Sequence, residues 1–215
     1  MIRKCLLIWT LGTLLVAGSG QAVPEPSLVP KSWELKFRYR DPERIAVMLP
    51  GRSEPVVYWY MLYTVENDTD EARDFYPTFT IVTDTLNVVE SEIGVSPEAF
   101  RAIKRRWEDP LLLPPSQING KLLIGEDRAK RGVAIWPDFD PQAREFTIYV
   151  TGLSGETTRI ANPAFDAGKP VGPRNPRVFI LRKTLELPYR LPGGAEERAR
   201  AVPERLSREP RWVMR

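Results

Sequence analysis

The stretch Val56–Val65, VVYWYMLYTV, is apolar or aromatic at almost every position. Successive side chains of an extended chain point to opposite faces. Val57, Trp59, Met61, Tyr63 and Val65 would therefore face one way, and Val56, Tyr58, Tyr60 and Leu62 the other. Neither face is wet, so the segment reads as a central strand covered on both sides. Upstream, Trp33, Leu35, Phe37 and Tyr39 alternate with Glu34, Lys36, Arg38 and Arg40, the mark of a strand with one buried and one charged face. Asp41-Pro42 and Pro50-Gly51 bracket a second short strand, Ile45–Leu49. Downstream, the polar turn Asn67–Asp70 leads into Phe75–Thr83 (FYPTFTIVT), which predicts a hairpin with the central strand. Pro77 cannot donate to a ladder and belongs at an edge or near that strand's start.

One segment reads as a helix. Ser96 supplies a cap, Pro97 a first-turn proline and Glu98 an early acidic group. Phe100, Ile103 and Trp107 then share a face, predicting a helix over Pro97–Trp107 that stops at Asp109-Pro110. Strand patterns return at Lys121–Ile124, Val133–Trp136, Phe146–Thr151, Thr157–Ala161 and Val178–Leu187. Many short strands with turn signals and one helix predict a mainly β, antiparallel sandwich or barrel. The expected organisation is an extended lead-in over residues 23–31, a single β domain over 32–192, and an irregular Arg/Glu-rich tail over 193–215.

The run Tyr58–Asp70, with the turn Asn67-Asp68-Thr69-Asp70, resembles the central-strand-and-turn segment of bacterial immunoglobulin-like sandwich modules. Ile135-Trp136-Pro137-Asp138-Phe139-Asp140 is similar to a segment of uncharacterised secreted bacterial proteins of comparable length. The resemblance implies an immunoglobulin-like β-sandwich in an extracytoplasmic setting, without the cysteine pair of antibody domains, and brings no catalytic residue with it.

The N-terminus carries its own signal. Arg3 and Lys4 precede the apolar run Cys5–Val16, and Gly20-Gln21-Ala22 approximates a small-x-small cleavage site. The run is shorter than the roughly 20 residues a membrane span needs, so residues 1–22 read as a signal peptide cleaved after Ala22, with no stable membrane anchor left behind. The product would be secreted or periplasmic. Cys5 is the only cysteine and would leave with the signal, removing any thiol nucleophile or disulfide. The whole chain has 31 basic and 28 acidic residues; losing Arg3 and Lys4 brings the balance to about neutral, which argues against nucleic acid as a partner.

The chain contains no histidine, which excludes His-based triads, imidazole metal sites and imidazole pH switches. No Gly-rich phosphate loop, nucleophile elbow or CxxC motif occurs, so no cofactor is implied. Asp138 and Asp140, with Glu145 beyond, offer oxygen ligands for Ca²⁺, although residues beside proline are usual turn formers. Glu126, Asp127 and Asp140 are candidate acid/base carboxylates for glycan chemistry. Tyr58, Tyr60 and Trp136 could form an aromatic platform for sugar rings if the helix leaves their face open, and core side chains otherwise. Lys104-Arg105-Arg106 beside Trp107, and the arginines of the tail, form two basic segments, the first explained by the helix dipole alone. The sequence leaves the function unknown. The leading expectation is a non-enzymatic binding or scaffolding module of the bacterial envelope, its partner another envelope protein or a glycan. The alternatives are a carbohydrate-binding or carboxylate-dependent glycan-active domain and a Ca²⁺-stabilised structural domain.

Overall fold

The computed structural model describes residues 24–215, and the expected signal peptide and its cleavage point lie outside them. In chain order the strands are β1 (Lys36–Tyr39), β2 (Glu43–Val47), β3 (Val56–Glu66), β4 (Arg73–Phe75), β5 (Phe79–Thr83) and β6 (Val88–Glu90). Helix α1 (Pro97–Trp107) follows, then β7 (Leu112–Leu113), the single turn α2 (Pro115–Ile118), β8 (Gly120–Leu122) and β9 (Lys130–Pro137). The chain finishes with β10 (Glu145–Val150), β11 (Thr157–Ala161), β12 (Val178–Arg190), the single turn α3 (Ala195–Arg198), β13 (Glu204–Arg205) and β14 (Arg211–Met214).

Two main sheets, antiparallel except for the two-residue β7–β9 pair, are built on two long strands. In the first, β3 pairs with β9 along one edge, while β1 and β2 lie end to end along the other. The second runs β6, β5, β10, β12, with β11 continuing beyond β10. Backbone N–H groups alternate sides: Lys183 N donates to Glu156 O, whereas Arg182 N donates to Arg215 O. The edge of β12 opposite β10 and β11 is thus taken by β14 and β13.

The sheets pack face to face over one apolar core. Trp59, Met61, Tyr63, Val65 and Trp136 from the first meet Phe79, Ile81, Phe146, Ile148 and Leu187 from the second. The other face of β3 is closed by α1, whose Ala99 and Ile103 pack on Tyr58, Tyr60, Val133 and Ile135. The order is helix, sheet, sheet, and the central strand is covered on both sides, as its composition requires. Helix α1 has the predicted bounds: Ser96 Oγ accepts from Glu98 N at 3.3 Å, and Glu108 ends it in the left-handed region.

Two expectations need correction. The strand after Asn67–Asp70 does not fold back on β3. The chain breaks at Tyr76-Pro77-Thr78, β4 pairs with β8, and β5 crosses into the second sheet. Asn67 enforces this course. Its fully buried amide donates to Glu71 O and Leu122 O and accepts from Thr69, so the turn is tied to β8 rather than to β3. The second correction concerns the tail, which is not irregular. β13 and β14 occupy the free edge of β12 and bury Met214.

Candidate functional site

Sheet and helix leave an indentation where the C-terminal end of α1, the turn between β1 and β2, and the segment before β13 converge. This cleft of about 570 Å³ is lined by Arg40, Arg44, Arg106, Arg200 and Arg205, with Asp41 and Glu43 as the acidic residues of its lining. The placement follows from local chemistry. Asp41-Pro42 turns the chain between two short strands, so Arg40 and Arg44 emerge on either side of it. The last turn of α1 presents Arg106, and β13 brings Arg205 across from the tail.

Each carboxylate is held twice. Glu43 accepts the Tyr60 hydroxyl at 2.8 Å and pairs with Arg106 at 3.1 Å, while Tyr60 Oη accepts from Trp107 Nε1 at 3.0 Å. Burial pushes the Tyr60 hydroxyl up to about 12, so it stays a donor to Glu43. Asp41 accepts the Tyr189 hydroxyl at 3.0 Å and pairs with Arg205, and burial likewise holds Tyr189 far above a usual phenol. Two buried tyrosines thereby fix two surface ion pairs from beneath.

With Glu43 and Asp41 engaged, three guanidinium groups remain in surplus. Arg44 lies flat on Trp59, 4.1 Å above the ring, and donates to Arg198 O at 2.6 Å. Its Nε is buried with no acceptor. Desolvation lowers the Arg44 pKa and Asp138 opposes that, but a guanidinium remains charged at any physiological pH. Arg40 stacks on Trp107 at 4.3 Å and has no ion pair or side-chain hydrogen bond among the described residues. A second cleft of about 320 Å³ begins at Arg40 and continues past Trp107 to Arg38 and Arg131. Planar guanidinium groups fixed on indole rings suit bidentate recognition of carboxylate or phosphate.

The residues singled out from the sequence fall elsewhere. Tyr58, Tyr60 and Trp136 are at most 2% exposed, so they form no open aromatic platform. Helix α1 covers the two tyrosines, and the Trp136 indole donates to Phe79 O inside the core. Tyr60 nevertheless acts on the cleft from beneath, through the hydroxyl it donates to Glu43. Asp138 accepts from Trp59 Nε1 at 2.8 Å, and Asp140 is held below the usual carboxylate range first by the Thr85 hydroxyl and then by Gln142 N–H. Both aspartates are spent on local structure, and among the described residues no group of three or more His, Cys, Asp or Glu converges to hold a metal. Glu126 and Asp127 sit in an exposed turn before β9, whereas Asp140 follows its far end. Eight strand residues separate them by more than about 20 Å, too far for two carboxyls acting on one glycosidic bond.

The two basic segments noted separately in the sequence do meet, with Arg106 and Arg205 in one cleft. Arg40 reads from the sequence only as part of a charged strand face and Arg44 carries no expectation, although Arg38-Tyr39-Arg40 and Arg44 around an Asp-Pro turn are a readable signal. No family model, curated protein or solved structure matches the chain.

Proposed function

We propose that this chain is a non-enzymatic, extracytoplasmic binding module of the bacterial envelope, and that its ligand presents anionic groups to the cleft between Arg40 and Arg44. The observation that carries the reading is the surplus of fixed cations in a near-neutral chain. Arg40 and Arg44 are stacked on tryptophans, and the local carboxylates are already engaged by Arg106 and Arg205. Guanidinium groups held in place lose little freedom on meeting an anion, which favours binding over a mobile lysine surface. The setting outside the cytosol rests on the basic, apolar and small-residue pattern of residues 1–22.

We read the finer topology as immunoglobulin-like. Two face-packed antiparallel sheets with a double-covered central strand speak for it. The parallel β7–β9 pair, and long strands each shared by successive partners, depart from the simple form.

Thermal unfolding of the purified protein with and without dextran sulfate tests the binding reading. Stabilisation should rise with ligand as occupancy of a site on the folded state requires, and should vanish in Arg44→Met/Arg40→Ala. Equal stabilisation of that variant refutes it. Cell fractionation tests the setting, and an intact precursor in the cytosol would refute it.

A further inference from the structure

Resting on the anion-binding reading of the cleft, we infer that the ligand is a linear polysaccharide carrying carboxylates, laid across the half of the first sheet's outer face that α1 leaves uncovered. The strand register places the cations. Arg38, Thr64 and Arg131 are direct partners across β1, β3 and β9, so the two arginines stand in one row on one face. Arg40 lies two residues along from Arg38, and its N–H donates to Leu62 O at 2.9 Å. Positions two apart on a strand are about 7 Å apart, and positions two strands apart about 10 Å. The cations are therefore laid out over a span that a single small anion cannot bridge, whereas a chain with one charge per repeat can.

Arg40 belongs to both clefts, so the outer-face row of Arg38, Arg40 and Arg131 opens at the sheet's edge into the cleft whose far wall holds Arg44, on the opposite face beside Trp59. Like Arg44, Arg40 has no carboxylate ion pair among the described residues. Arg38 reaches Glu66 at 3.4 Å, a buried carboxylate that Lys36 also pairs with at 3.2 Å, and Arg131 reaches the partly buried Asp109 at 3.1 Å. Both guanidinium groups are themselves half-exposed, so an incoming carboxylate can share them while Lys36 stays with Glu66. A sugar chain is favoured over a bare phosphodiester chain because the half-buried Leu62 and Trp107 line the same cleft. A sugar ring has apolar faces to bury there, and a phosphate chain has none.

The test is calorimetric titration of the purified protein with polygalacturonate, galacturonate monomer, polyphosphate and neutral dextran. Saturable binding of polygalacturonate is expected, at least 100-fold tighter than the monomer, with no heat from dextran. Arg40→Ala should weaken it at least tenfold, Arg131→Ala several-fold, and Arg159→Ala on the remote strand β11 not at all. Tight polyphosphate binding with none to polygalacturonate overturns the glycan assignment and leaves the anion cleft standing. Binding of neither polymer overturns both. Equal losses in Arg40→Ala and Arg159→Ala show unspecific charge attraction and overturn the assignment as well.

Discussion

Replacing Lys183 by methionine should be among the most damaging single changes on the second sheet. Lys183 is 2% exposed on β12, yet it is a cation. Its Nζ lies 2.9 Å from Glu34, 3.5 Å from Glu156 and 3.3 Å from Ser27 O, beside the Trp212 ring. Glu156 in turn accepts both the N–H and the hydroxyl of Ser27, so the lead-in before β1 is clasped onto β12 through this cluster. One oxygen of Glu34 and one of Glu156 are buried without any hydrogen bond, which leaves the ammonium charge as their compensation.

Removing one partner of a buried ion cluster costs about 3–5 kcal/mol, because the remaining charges stay desolvated and unpaired. For a chain of this size that lowers the melting temperature by about 10 °C. Burial alone would push the Glu156 carboxyl up, but Ser27 and Lys183 together outweigh it and hold the carboxyl below its usual value. A depressed folded pKa stabilises above the unfolded value and the benefit is lost as pH falls through the folded one. Without Lys183 only Ser27 opposes burial, so Lys183→Met should keep less of this stabilisation above the carboxylate range than the wild type does. Lys183→Met/Glu156→Gln should recover part of the loss, since Gln still accepts from Ser27. Urea denaturation of the wild type, both singles and the double closes the cycle. A loss below about 1 kcal/mol, or a double no more stable than Lys183→Met, would refute the reasoning.

Ile103→Asp on α1 should cost about 4 kcal/mol or more, since the residue is fully buried between the helix and the first sheet. Arg101→Ala, which loses one exposed pair with Glu98, should cost no more than about 0.5 kcal/mol in the same denaturation assay. Gly132→Ala should cost about 1–3 kcal/mol, because its methyl would meet the Tyr63 ring at 2.5 Å and that ring is wedged between Phe37 and Phe79; an unchanged unfolding midpoint would contradict it. Glu92 closes the open edge of β9, giving its N–H to Ile135 O and accepting Ile135 N–H on its carboxyl, and burial lifts that carboxyl to about 7. Raised in the folded state, it costs stability as pH climbs from the usual carboxylate range to 7, so Glu92→Gln should gain on the wild type between pH 5 and pH 8. A difference that does not move with pH sinks this one.

Period and capping made the framework legible. A strand with no wet face had to be central, and α1 could be bounded to the residue because Ser96, Pro97 and Asp109-Pro110 act locally. Pairing was less legible, because it is decided over long range. Asn67-Asp68-Thr69-Asp70 has the composition of a hairpin turn, but the Asn67 amide bonds across to Leu122, a partner 55 residues away. β13 and β14 escaped for a related reason. β13 is two charged residues and β14 only four residues long, too short to show a period, and only the free edge of β12 gives them a ladder to join. The candidate site suffered most. Tyr58 and Trp136 have the aromatic character of a sugar platform, but in a covered sheet that same character is a reason to be buried.

The cleft arginines draw their order from that same aromatic core, which is why site and stability are not separable here. Trp59 stacks inside the core on Phe139 at 5.1 Å and carries Arg44 on its other side at 4.1 Å. Tyr60 sits beneath α1 yet orients Glu43, and Tyr189 packs on Phe146 at 5.4 Å while orienting Asp41. Core ring and cleft charge are thus two ends of one side chain or one contact. A surface cation on a mobile stem would be screened and would spend entropy on each encounter. A guanidinium on a fixed indole has met most of that cost during folding. The same logic assigns the tail its part: Arg198 O anchors Arg44, and Arg205 neutralises Asp41, so the segment that walls the cleft also keeps its cations in surplus.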